Sequence, residues 1–126
     1  MHGFINVDGR ADTNPDVVCD LIKISPKFHS VDLIYASHVL EHFPFTASSY
    51  YPTTYNELLK NWNAALRIGG TLRLAVPDFE AVCKYYLSTG NLKILKTLIN
   101  GGQKYDFDFH FSCWDFNSLK EVLETN

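Results

Sequence analysis

The sequence predicts an α/β fold in which mainly parallel strands are flanked by helices. Short apolar runs, such as VDLIYAS at residues 31–37, alternate with longer segments whose apolar residues recur at helical spacing. Nearly continuous apolar runs are typical of strands buried on both faces, as in a parallel sheet that helices cover. Alternation of strands with helices along one chain also favours a parallel sheet.

Four strands are predicted, at residues 4–8, 16–21, 31–37 and 71–77. The first two, FINVD and DVVCDL, carry an acid at or beside the end, Asp8 and Asp20. The segment between them contains Gly9 and Pro15 and has the composition of a turn. Each of the four runs is short enough for a strand and ends at polar residues.

The first predicted helix follows Pro52, because apolar residues recur at helical spacing from Tyr55 to Leu66. Proline suits a first helical turn, and the pair Gly69-Gly70 suits the end of a helix.

Three further helices are predicted after the fourth strand. Asp78 has the side chain of an N-cap for the first of them, and Gly101 closes the next. Ser118 and Glu121 have the spacing of a capping box, which predicts that the last helix opens at Ser118.

The composition indicates one domain, residues 1–126, with a small molecule as its partner. The formal net charge is −3 and no basic run is present, so neither a nucleic-acid surface nor an anionic-membrane surface is predicted. No apolar run has the length of a membrane span, and the first residues do not have the pattern of a secretion signal. The three cysteines are widely spaced and odd in number, which favours free thiols in a reducing cytoplasm.

Polar residues follow the predicted strands. Asp8 and Asp20 end the first two, Ser37 and His38 follow the third, and Asp78 follows the fourth. Ligands of parallel sheets bind beyond the carboxyl ends of the strands. The sequence therefore predicts a small-molecule site along this polar rim.

Several segments together resemble one family. They are INVD, DVVCDL, VDLIYASHVLEHF and LRIGGTLRLAVPDFEAV, followed by HFSCWDFNSL. In this order and spacing they resemble the class I S-adenosylmethionine-dependent methyltransferases, and within them a group of short predicted methyltransferases. The resemblance covers most of the chain. It implies a Rossmann-like sheet, S-adenosylmethionine as cofactor, and methyl transfer to a small-molecule or sugar-type acceptor without a metal.

The chain departs from that family at its start. Family members begin with a strand and a Gly-rich loop, which lets the backbone approach the cofactor because glycine has no side chain. Residue 1 falls after the place of that loop, so the expectation is a truncated sheet. The absent strand would lie between residues 4–8 and 31–37. Unpaired strand edges seek partners, so we expect either direct pairing of those two strands or association with another chain, including a homo-oligomer.

The resemblance assigns cofactor contacts to residues near the strand ends. Asp8 matches the acid that binds the ribose hydroxyls, and Asp20 with Leu21 matches the residues beside adenine. Ser37 and His38 match the place where the methionine end of the cofactor meets the acceptor. From the residues alone, the alternative for Asp8 is a turn acid before a glycine, and the alternative for Asp20 is a strand-end acid or cap.

Two histidines are candidate catalytic groups. His38 either acts as a general base, a role common for histidine side chains, or orients the turn after the third strand by hydrogen bonds. His110 lies in the aromatic segment YDFDFHFSCW, which either covers the acceptor site or packs as a loop.

Four further residues are candidate acceptor contacts. Glu41 and His42 form either a buried acid–imidazole pair that caps neighbouring backbone or a contact to substrate. Pro77 and Asp78 border the acceptor pocket by resemblance, and Asp78 is also a helix N-cap.

The stretch 38–42 reads His-x-x-Glu-His, which also occurs in a class of zinc peptidases. That chemistry needs His38 and His42 on one helix face, whereas a strand runs into His38 and Pro44 ends any helix close behind. No metal site is therefore predicted here. A second hypothesis is a non-catalytic, methyltransferase-like module that lacks the Gly-rich loop and serves as an interaction partner.

Overall fold

Strands and helices alternate along the chain in the computed structural model, which describes residues 3–25 and 27–125. The predicted mixed α/β class is confirmed. The elements, in chain order, are β1 (Val7–Asp8), β2 (Val17–Val18), β3 (Val31–Ser37), α1 (Tyr55–Ala65), β4 (Leu66–Ala75), α2 (Phe79–Thr89), α3 (Leu92–Asn100) and α4 (Phe116–Thr125). Short 3₁₀ turns lie between the first strands and after β3.

The strands form two separate parallel pairs. β1 pairs with β2, with Asp8 opposite Val18. β3 pairs with β4, with Ser37 opposite Ala75. Since α1 lies between β3 and β4 in the chain, it forms the crossover that a parallel pair requires.

Direct pairing of the strand at residues 4–8 with the strand at 31–37 was one of two expected arrangements, and it is wrong for the part of the chain described. The first strand pairs only with its successor in sequence, through a short connection. Both strands of that pair are two residues long, and most of the remaining residues of the two apolar runs are irregular backbone. Association with another chain stays a prediction.

A capping box fixes the start of α1. The Thr54 hydroxyl accepts a hydrogen bond from the Glu57 amide, and the Glu57 carboxylate accepts one from the Thr54 amide at 2.8 Å. The helix therefore begins at Tyr55. The sequence-based prediction that Pro52 lies in its first turn is wrong.

The glycine pair after α1 does not end the helix, which corrects the prediction. Gly69 and Gly70 lie inside β4. Gly69 has φ +73°, and a Cβ on Gly70 would lie 2.9 Å from the Arg67 carbonyl oxygen and 3.2 Å from that of Val31. The glycines therefore permit the register irregularity between Val31 and Leu33, at the start of the β3–β4 ladder.

The caps of the later helices follow the sequence with one exception. The Asp78 carboxylate accepts from the amides of Glu80 and Ala81 at the start of α2, as predicted. The last helix, however, begins at Phe116 rather than Ser118, because Asp115 accepts from the Ser118 amide at 2.8 Å. This hydrogen bond holds the pKa of the Asp115 carboxyl below its ordinary value.

The core forms where α1 packs on the longer strand pair. Leu58, Leu59 and Trp62 are buried on one helix face, against Ala36 of β3 and Trp114. The Trp62 indole Nε1–H also donates to the Leu21 carbonyl at 3.3 Å. This contact joins the segment after β2 to the main core.

None of the helices in residues 3–25 and 27–125 is long and apolar enough to cross a membrane.

We expect Leu58→Ala to lower the free energy of unfolding by about 2–5 kcal/mol, because it opens a cavity at the centre of the core. Leu87→Ala, on the exposed face of α2, is the matched control and should change it by less than about 0.5 kcal/mol. Urea denaturation followed by circular dichroism measures both. Equal losses from the two variants would contradict the assignment of the core.

Candidate functional site

The turn that follows β3 is anchored to the end of β4. The His38 amide donates to the Ala75 carbonyl at 2.8 Å, which extends the parallel ladder by one hydrogen bond. His38 then adopts φ +55°, a left-handed conformation that residues other than glycine seldom take. Its side chain is largely exposed, and its Nδ1 lies 3.1 Å from Glu41 Oε1.

Glu41 is a buried carboxylate in the 3₁₀ turn Leu40–His42, with only 1% of its surface exposed. One oxygen, Oε1, faces His38, whereas Oε2 has no hydrogen-bond partner among the described residues. A buried carboxylate oxygen without a partner costs free energy. Glu41 is therefore the residue of this turn whose burial most needs an explanation.

The segment 109–112, here called the strap, crosses this turn through backbone hydrogen bonds. The Glu41 carbonyl accepts from the amides of Phe111 at 2.8 Å and Ser112 at 3.1 Å. Buried Ser112 donates its hydroxyl to the Leu40 carbonyl and accepts from the Trp114 indole at 3.0 Å. The strap is thus pinned to the turn by both backbone and side chain.

The strap brings two histidines edge to face. His42 Nδ1 lies 2.8 Å from the Phe109 carbonyl oxygen, and His110 Nδ1 lies 2.9 Å from that of Leu98. The ring centroids are 4.9 Å apart with an interplanar angle of 85°. Each Nδ1 is placed to donate to a carbonyl, so each Nε2 keeps its lone pair.

Three potential ligand groups therefore converge. One atom each from Glu41, His42 and His110 lies within 4.8 Å of the other two. The arrangement can hold a cation, or it can bind a polar group of a small molecule.

Pro77 and Asp78 lie beside this cluster. Pro77 and Glu41 both line a cavity of about 10 Å³, which is roughly the space of one water molecule. Asp78 pairs with Trp114 in a single bridge, where the Phe79 amide donates to the Trp114 carbonyl at 2.8 Å. The end of β4 is thereby joined to the segment that follows the strap.

The two acids at the end of β1 and shortly after β2 form hydrogen bonds within the turns that follow these strands. Asp8 Oδ1 accepts from the Arg10 amide at 2.8 Å, and Oδ2 accepts from the Thr13 hydroxyl at 3.0 Å. Asp20 caps a 3₁₀ turn by accepting from the Ile22 amide at 3.3 Å, and Leu21 follows it. These contacts match the alternative in which both acids stabilise local backbone.

The structure thus brings together some of the predicted site residues. His38, Glu41 and His42 of one short turn form a cluster with His110, which is far from them in sequence. Ser37, also exposed, ends β3 beside them. The predicted pairing of Glu41 with His42 is wrong in detail, because His38 is the imidazole that contacts Glu41.

Sequence reasoning missed Ser112, whose hydroxyl ties the strap to the turn. Its only signal is its place directly after FHF, within the aromatic segment. The helical geometry of a zinc peptidase is absent from the turn itself, because His38 lies in the left-handed region and the 3₁₀ turn starts only at Leu40. His38 and His42 consequently do not share a helix face.

Comparison with known proteins gave no match to any family model, any curated protein or any solved structure.

We expect Ser112→Ala to lower the free energy of unfolding by about 1–3 kcal/mol, because it leaves the buried Trp114 indole N–H without its acceptor. Ser88→Ala is the matched control, since the exposed Ser88 hydroxyl only donates to the Tyr85 carbonyl one turn back in α2. Thermal and urea denaturation compare the two variants. A neutral Ser112→Ala substitution would show that the strap does not depend on this contact.

Proposed function

We propose that the protein is an S-adenosylmethionine-dependent methyltransferase with a Rossmann-like sheet, acting on a small-molecule or sugar-type acceptor in the cytoplasm. The observation that carries the proposal is the β3–α1–β4 unit. Its strands are parallel with Ser37 opposite Ala75, so the polar residues after both strands meet at one edge. This edge is where ligands of such sheets bind.

The first strand pair carries the residues proposed to bind the nucleoside part of the cofactor. Asp8 ends β1, and each of its oxygens accepts one hydrogen bond from its own turn. A carboxylate has about four lone-pair sites, so Asp8 can still accept from two vicinal ribose hydroxyls. Asp20 is exposed beside Leu21, where an adenine amino group would find a carboxylate acceptor.

His38 is the candidate general base. Glu41 orients its Nδ1, which leaves Nε2 to take a proton from an acceptor hydroxyl. The His38 side chain is 62% exposed, so a substrate can reach the imidazole. The cofactor, when bound, supplies an already activated methyl group on sulfur, so positioning and one proton transfer are what the protein must add.

The remaining candidates border the acceptor in this proposal. Glu41 is buried behind His38, whereas His42 and His110 are half-buried at the strap. Pro77 and Asp78 follow β4 at the same edge. A polar acceptor such as a sugar hydroxyl is the chemistry that these imidazoles and carboxylates recognise.

A second candidate function is a non-catalytic interaction module. Two observations favour it: Asp8 and Asp20 already stabilise their own turns, and β3 pairs on one side only within the described chain. An unpaired strand edge accepts a strand from another chain.

Calorimetric titration with S-adenosylhomocysteine separates the two candidates. The methyltransferase proposal predicts micromolar binding, and Asp8→Asn should weaken it about 10- to 100-fold through loss of charged hydrogen bonds to ribose.

Asp12→Asn is the matched control in the same turn, because the exposed Asp12 pairs only with Arg10 among the contacts found for it. It should leave the affinity unchanged. No heat of binding at millimolar ligand would refute the cofactor assignment and favour the interaction module.

A further inference from the structure

We propose that Glu41, His42 and His110 bind a divalent transition-metal ion, with Zn²⁺ the best-matched cation. The set differs from the two histidines of the His-x-x-Glu-His string at one position, because His110 replaces His38 as a ligand. It shares Glu41, His42 and His110 with the acceptor side of the methyltransferase proposal, but it needs neither Asp8 nor a nucleoside.

The buried carboxylate gives the strongest argument. Glu41 is 1% exposed, and Oε2 has no partner in the part of the chain that the structure describes. An ionised carboxylate is buried only when it is paired or coordinates a metal. His38 contacts Oε1 alone, which leaves the buried Oε2 without a hydrogen-bond partner.

The two imidazoles are prepared as ligands. Histidines that bind metals usually donate their second ring N–H to a backbone carbonyl or carboxylate, which fixes the tautomer. His42 and His110 have this arrangement through the carbonyls of Phe109 and Leu98, at 2.8 and 2.9 Å. In each ring the nitrogen with a free lone pair is then Nε2, the atom that a cation requires.

The spacing is close to that of a coordination shell. One nitrogen or oxygen atom of each residue lies within 4.8 Å of those of the other two, whereas ligands about 2.0–2.1 Å from a tetrahedral Zn²⁺ are roughly 3.3 Å apart. Binding would therefore draw the three ligand atoms closer together. The strap and the turn that carry them are already joined by the hydrogen bonds to the Glu41 carbonyl.

The ligand chemistry selects the class of cation. Two imidazoles and one carboxylate suit Zn²⁺ and its neighbours in the first transition row, whereas Ca²⁺ and Mg²⁺ prefer sets made of oxygen. Three protein ligands leave a fourth tetrahedral position to water or to an exogenous ligand. A bound cation would also join the turn after β3 to the strap after α3.

The test uses protein without a histidine tag, dialysed against a chelator and then titrated with zinc chloride by calorimetry. We expect one cation per chain with micromolar or tighter affinity, and a rise in melting temperature on binding. Glu41→Gln and His110→Gln should each weaken binding more than about 100-fold, beyond the 10- to 100-fold typical of residues outside the ligand shell.

His29→Gln is the matched control, because His29 is exposed and outside the cluster, and it should leave binding unchanged. Circular dichroism of each metal-free variant checks that it is folded. Titration with Co²⁺ adds a spectroscopic readout, since a tetrahedral nitrogen and oxygen site gives visible d–d bands without a thiolate charge-transfer band.

Silence up to millimolar zinc would overturn the proposal, as would zinc binding that Glu41→Gln and His110→Gln both leave intact. In the first case Oε2 needs another partner, for which the small cavity beside Glu41 has room for about one water molecule. In the second, the cation sits on surface histidines or on a free thiol such as exposed Cys113, which the cobalt spectrum identifies.

Discussion

The packing of α1 on the β3–β4 pair is the constraint on which the rest of the structure depends. Leu58 and Trp62 are almost fully buried on one helix face, and each such side chain contributes about 1.5–3 kcal/mol relative to exposure. The first strand pair is too short to form a core of its own, because its strands have two residues each. It is held to the main core through the Leu21 carbonyl, which accepts from the Trp62 indole.

The same core dictates where polar groups gather. β3 and β4 must stay in register to present Ala36 to α1, so the chain leaves both strands at one edge. There the backbone turns sharply at His38, and Glu41 is carried beneath the strap. The buried carboxylate is therefore a consequence of how the turn is anchored, and among the described residues only the His38 imidazole forms a side-chain hydrogen bond with it.

Local features of the fold were predictable from sequence, and the site was only partly so. The Asp78 cap and the face of α1 depend on residues a few positions apart, so spacing alone reveals them. The pair Gly69-Gly70 led to a wrong prediction of a helix end. Its role is to permit an irregular register between β3 and β4, which depends on Val31, a residue distant in sequence. Likewise, the proximity of His110 to His42 arises from strap hydrogen bonds that no local pattern encodes.

The two proposals share Glu41 without excluding each other, because its two oxygens face different partners. Oε1 orients His38, the candidate base, whereas Oε2 is the oxygen left for a cation. The proposed metal site would leave the nucleoside contacts proposed for Asp8 untouched, since Asp8 belongs to the other strand pair.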